Sequence, residues 1–432
     1  DRGVHITTVH ADLADWTPEP HSAAALVLNS STALDVVTFQ NNVDLNAGTR
    51  TVTVNDNSST GTDYAILSGV ISGSGASALT KNGGGLLYLT GANTYNGNTV
   101  LDNGILAVTS IGSGASASNL GNAAGTLTIG NAAANAPYLL YYGAGETVTR
   151  SVIWSSTTGN TTIDSSGSGP LKIGNLTITG AGAKTLNLRG LNSDANEITS
   201  ALTATMGSGG VTKNDGGTWI LSGANAYTGA TTVNSGWLGI GGTTGGTAGN
   251  PLPAGLTVGG NYVSAGIFAT NSAGLTISSV VTIVQQQTAM FGGVNSITLN
   301  GNVTQTTGGD PTITNVISGG TLTINGNWTN PETSTTADTA RTLNIRGTGN
   351  TVWTGAINNA TARAGSTVPL NISIAPDASF TISGSPTFTS ASNGTTTLSQ
   401  GNLVLGRTTN LFGGSNTQTF NFNGGTLAAT TA

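Results

Sequence analysis

The 432-residue chain has no cysteine, three histidines and only 7% charged residues, and each shortage closes off a class of function. Without thiols, neither disulfides nor Cys-ligated zinc or iron–sulfur centres can equip the fold. His5, His10 and His21 all precede the body of the chain, so a Ser-His-Asp hydrolase built there lacks its base. The 12 Lys and Arg are outnumbered by 18 Asp and Glu and stand singly. No basic cluster could neutralise a run of phosphates, and nucleic acid is excluded as a partner. No stretch approaches the roughly 20 apolar residues of a membrane helix; residues 23–28 are the longest candidate, and no membrane insertion of this segment is expected. Gly180-Ala181-Gly182-Ala183-Lys184-Thr185 imitates a phosphate loop without placing Lys after Gly. No cofactor is expected.

What is abundant is glycine, 65 residues, within a chain that is 37% hydrophobic. Disordered chains combine low hydrophobicity with high net charge, and a net charge of −6 over this length fits neither condition. From about Leu26 onward, short runs alternate apolar with polar residues and stop at Gly or Asn. Thr51-Val52-Thr53-Val54, Leu127-Thr128-Ile129, Leu186-Asn187-Leu188 and Leu322-Thr323-Ile324 carry the period of a half-buried strand. Apolar residues nowhere recur at helical spacing over ten or more positions. The chain is predicted to be all-β.

The body is also repetitive. Thr80-Lys81-Asn82-Gly83-Gly84-Gly85-Leu86-Leu87-Tyr88-Leu89-Thr90-Gly91-Ala92-Asn93-Thr94-Tyr95 returns without a gap as Thr212-Lys213-Asn214-Asp215-Gly216-Gly217-Thr218-Trp219-Ile220-Leu221-Ser222-Gly223-Ala224-Asn225-Ala226-Tyr227. A third, partial copy lies at 394–405. Short strands stacked by repetition predict a parallel β-helix, or β-solenoid, with Gly/Asn-rich turns, in which each coil pairs with its neighbours about 4.8 Å away. Inward Leu, Val and Ile form ladders, and Gly and Asn serve corners that need positive backbone dihedrals. At roughly 20 residues per coil, the stack is a rod on the order of 100 Å long. Residues 1–25 read as a polar cap or linker and 26–432 as one continuous solenoid.

Residues 79–108 and 211–240, through Thr-Lys-Asn-(Gly/Asp)-Gly-Gly and Gly-Ala-Asn-x-Tyr, resemble the autotransporter-associated β-strand repeat, also called the passenger-associated transport repeat. The resemblance implies a right-handed β-helical passenger of a large secreted or surface-displayed bacterial protein. Phe420-Asn421-Phe422-Asn423-Gly424-Gly425-Thr426-Leu427 reads as a solenoid strand cut mid-repeat, which predicts either a segment of something larger or a family member displayed by another route.

Three constellations are candidates for chemistry. His5, His10, Asp12 and Asp15 carry donor types for a divalent metal, but the same segment reads as a solenoid cap, and no metal is expected. Arg189, Asp194 and Glu197, with Lys172 and the pair Arg150 and Asp164 nearby in sequence, would serve a carbohydrate-active β-helix, a polysaccharide lyase or glycosidase. The plainer reading is solvated loop charges. Aromatic rings are the third set. Trp219 takes the place of Leu87 and shares a strand face with Leu221, so it belongs to the core. Trp237 alternates with Leu238 and faces outward, over a neighbouring coil or toward a ligand. Tyr138, Tyr141 and Tyr142 place some rings on the surface by the same alternation. Trp237 and these three tyrosines are the candidate contacts for a surface glycan, a protein receptor or a second copy. The expected function is a non-catalytic extracellular structural or adhesive rod on a bacterial surface, open to end-to-end assembly through unpaired strand edges.

Overall fold

The structure, a computed structural model, describes residues 25–113, 116–122, 124–131, 135–241, 252, 254–260, 264–284, 287–306, 309–329, 342–358, 370–383, 395–406 and 419–429. His5, His10, Asp12 and Asp15 lie outside this set. The chain divides into two units, one of residues 1–211 with 216–219, the other of 212–215 with 220–432.

Unit one is a three-sheet parallel solenoid. Its first sheet runs from Ala25–Leu28 through Ala78–Asn82 and Thr99–Leu101 to Leu176–Ile178, and its second from Val37–Phe39 through Leu86–Leu89, Ile105–Val108 and Tyr138–Tyr141 to Lys184–Arg189. The third holds Ala144–Val148, Gly169–Ile173 and Asn196–Ile198. The chain visits the sheets in turn, so the strands of these sheets pair in parallel with those one coil before and after, while the short strands Ala117–Ser118 and Gly121–Asn122 pair antiparallel with each other. Unit two repeats the plan, with one sheet containing Thr231–Val233 to Ile357–Asn358, one containing Gly236–Ile240 to Thr419–Phe422, and one running from Leu275–Ile277 to Thr426–Ala429. Among the described residues no α-helix occurs and no helix is long and apolar enough to cross a membrane.

Alternation builds the core. Leu87, Leu106, Leu139, Ile163 and Leu188 stand in register on five successive coils, each at most 1% exposed. In unit two Ile297, Leu322, Thr351, Phe380 and Leu403 do the same. A fully buried Leu or Ile contributes about 1.5–3 kcal/mol, so a ladder of five outweighs what one coil could supply alone.

The corners set a second rule. Gly83 turns out of its strand at φ +77°, with Val54 O where a Cβ would stand. Its counterpart in the second copy is Asp215, held at φ 58°. An L-residue there carries a penalty that glycine escapes, so Asp215→Gly is expected to raise stability by up to about 1 kcal/mol, read as a higher urea midpoint.

Corner carbonyls also explain where the buried cations go. Lys81 points inward and its Nζ donates to the carbonyls of Asn82, Gly83 and, one coil on, Asn103, at 2.9, 2.8 and 3.0 Å. Lys213 makes the same cage from Asn214, Asp215 and Ser235. Lys184 donates to Ser156, Thr179 and Gly180 with the Trp154 ring 5.2 Å away, and Arg150 to Leu120, Gly121 and Asn122. An ammonium has three N–H donors and no acceptor, which suits a corner where three carbonyls converge. Burial lowers Lys81 from 10.5 to about 7, opposed by the charge of Asp102, and lowers Lys184 and Arg150 as well. Beside each repeat cage a buried tyrosine pairs with a threonine: Tyr95 with Thr99 at 2.7 Å, and Tyr227 with Thr231. Burial pushes both phenols up to about 12.

Candidate functional site: the outer aromatic faces

With the inward columns committed to the core, partners must be met by the outward ones. On the second sheet of unit one, one outward column reads Ile66, Tyr88, Ala107, Leu140, Asp164, and the next reads Leu86, Ile105, Tyr138, Thr162. All are half-buried except Ala107 and Asp164, which are buried. Tyr64 and Tyr142, just outside their strands, flank Tyr88 with ring centroids 5.3 and 5.6 Å away in edge-to-face contact. Tyr88 and Tyr142 belong to coils separated by the strand Ile105–Val108. Between them that strand places the methyl group of Ala107, in register with Tyr88 and 0% exposed, which leaves room for the two rings to meet. The result is an apolar patch across several coils, of the kind that marks an interaction surface.

At one end the patch turns polar. Tyr138 donates its hydroxyl to Asp164 Oδ2, and Ser166 donates to Oδ1 of the same carboxylate. Burial raises the pKa of both Tyr88 and Tyr142, with a smaller contribution from Tyr64 on Tyr88 and from Tyr88 on Tyr142. Tyr141 is a correction to the expected set. It is 1% exposed, in register with Val108 on the inward side, and its hydroxyl accepts the Gly145 N–H at 3.0 Å, so no outside ligand reaches it. Tyr64 and Tyr88 were missed in sequence, although they stand one coil apart on the same face.

Unit two has a smaller counterpart. Trp237 is in register with Gly266 and Phe268 with Gly239 and Gly292, and the two rings meet edge to face at 6.3 Å. A Cβ on Gly266 would stand 2.4 Å from the Trp237 ring, and one on Gly292 2.7 Å. The indole therefore lies across the glycines of the next coils, half-buried, as a cover with one open side. Gly266→Val is expected to displace it and cost about 1–3 kcal/mol, the usual range for overpacking, measured by thermal unfolding.

The carboxylates considered for catalysis have other engagements. Glu197 pairs with Lys172 across one coil step at 3.3 Å. Arg189 is in register with Asp164 on a different sheet, and Asp194 lies in the intervening turn, its N–H on Asn192 Oδ1. Arg150 is buried among carbonyls while Asp164 is held by two hydroxyls, so those two do not form the pair their sequence proximity suggested. Among the described residues no group of three or more His, Asp or Glu could hold a metal ion.

Comparison with known proteins adds to this geometry. Over 179 residues, 40% of this chain, the sequence is 36% identical to the adhesin BmaC autotransporter of Brucella suis biovar 1 (strain 1330), and it spans about 5% of that protein's length. No solved structure matches. The model of the passenger-associated-transport repeat matches residues 79–108 and 211–240, the two segments that carry the lysine cages and buried Tyr–Thr pairs. The chain thus bears two copies of that repeat.

Proposed function

We propose that this chain is a non-catalytic structural and adhesive segment of a secreted or surface-displayed bacterial protein, and that the tyrosine face of unit one is where it meets a partner. The observation that carries the reading is the patch of Tyr64, Tyr88, Tyr142, Ile66 and Leu140, half-exposed on one outer face, in which three tyrosine rings from different coils touch. Similarity to a protein named an adhesin supports it. The rings are fixed by their neighbours before any ligand arrives, which spares a contact surface part of its ordering cost. A glycan, a receptor or a second copy would each use this face.

The test is binding of the purified chain to host-cell monolayers and to a glycan array, with self-association followed by sedimentation. The double variant Ile66→Lys, Leu140→Lys changes only outward positions. Binding or self-association at least about tenfold weaker, equivalent to about 1.4 kcal/mol, is expected. Unaltered binding would move the contact elsewhere. Turnover of a polysaccharide that vanishes in Glu197→Gln would instead favour the enzyme reading.

A further inference from the structure

A chain without cysteine cannot join its coils by disulfides, yet three phenols from different coils touch in sequence on an outer face of unit one. Tyr88 is central, with Tyr64 on one side at 5.3 Å and Tyr142 on the other at 5.6 Å between centroids. All three rings are half-exposed, so a diffusible oxidant reaches them. The other described tyrosines differ in ways that matter. Tyr95, Tyr141 and Tyr227 are at most 1% exposed, and Tyr138 has its hydroxyl on Asp164. Burial raises the phenols of Tyr88 and Tyr142, helped by Tyr64 beside the first and by Tyr88 beside the second, so at neutral pH both are protonated and each gives up an electron together with its proton.

We propose that Tyr64, Tyr88 and Tyr142 form a site of oxidative cross-linking, at which hydrogen peroxide and a haem peroxidase join Tyr88 to Tyr64 or to Tyr142. Peroxide takes one electron and one proton from each of two phenols and is reduced to two waters. The two tyrosyl radicals couple through the ring carbons beside their hydroxyls. Each coupled ring then moves its displaced ring hydrogen to oxygen and regains its aromaticity, with no further electron required. In the edge-to-face contact the rim of one ring already lies against its neighbour, and a small rotation of each side chain brings the two carbons together. The product ties coils to one another by a bond that thiol reductants leave intact. It does not depend on the adhesive reading, since it needs only the three rings.

The full chain, kept dilute, would be treated with a haem peroxidase and peroxide, and the monomeric fraction digested for tandem mass spectrometry. Blue dityrosine fluorescence in the monomer, and a peptide pair linking Tyr88 to Tyr64 or Tyr142, are expected. Tyr88→Phe keeps the ring and its packing, confirmed by circular dichroism and an unchanged melting temperature, and is expected to lose the intrachain product. Tyr64→Phe should leave only the link to Tyr142. An intrachain product that persists in Tyr88→Phe, dityrosine found only between chains, or coupling centred on Tyr138 would each overturn the assignment.

Discussion

Lys213→Met should lower the stability of the chain by roughly 3 kcal/mol or more, because the methionine keeps the length of the side chain and removes every donor. Three carbonyls, of Asn214, Asp215 and Ser235, lose the Nζ they share. A buried acceptor left without a partner costs about 1–3 kcal/mol, and three converge here. Lys81→Met should behave alike, since its cage is built from the equivalent positions. Urea unfolding of both variants checks the expectation, and a loss below about 1 kcal/mol in each, the net worth of one ordinary hydrogen bond, would refute it. The titration of Lys81 adds a pH arm. Its folded pKa of about 7 lies below the unfolded 10.5, so between those values the unfolded chain binds more protons. Stability from this group therefore rises with pH across that window and is lost as pH falls through about 7. Wild type should gain stability between pH 7 and pH 10 relative to Lys81→Met, and parallel curves would show that the amine does not titrate in that window.

Trp219→Ala should cost about 3–5 kcal/mol, the range for emptying an aromatic site in a core. The indole is 1% exposed and its Nε1 donates to Arg189 O at 2.8 Å, so the change opens a cavity and removes a donor together. Trp219→Leu is the informative companion, because Leu87 fills the same place in the first copy. If copies were interchangeable rung by rung, leucine would be nearly neutral. Neighbours sized to the indole instead predict a loss of about 2 kcal/mol, read from the same unfolding curves.

The strands and their stacking were legible in sequence because alternation and repetition are local. Leu127–Ile129 and Lys184–Arg189 are strands at places where apolar and polar residues alternate, and the third partial copy yields Thr395–Gln400 and Asn402–Leu405. The partition into two units has no such mark in the sequence, since Gly-rich turns punctuate every coil alike. Contacts between coils were harder to foresee. The tyrosine face depends on which rung lies above which, and on Ala107 being small enough for Tyr88 and Tyr142 to close over it. Alternation did separate Tyr141 from Tyr142, but only register with Val108 decides that Tyr141 is the inward one. The lysine cages were hidden for a different reason. Lys81 occupies an inward column between Val52 and Leu101, where composition alone would expect an aliphatic residue, and its role appears only when the corner carbonyls are counted.

The parallel ladders have a kinetic corollary. Partners across neighbouring coils are 19 to 36 residues apart in the chain, as for Leu87 with Leu106 and Asn315 with Thr351, and no closing strand from a distant segment is needed to complete a rung. Ordering one more coil requires only that the next few dozen residues be present, the nearest-neighbour arithmetic of a one-dimensional array. Within each unit a growing edge is thus a template for the next coil. A chain released gradually from one end would order as fast as it is supplied, whereas a substitution such as Lys213→Met would act as a stall point, holding up the coils beyond it before it weakened those already formed.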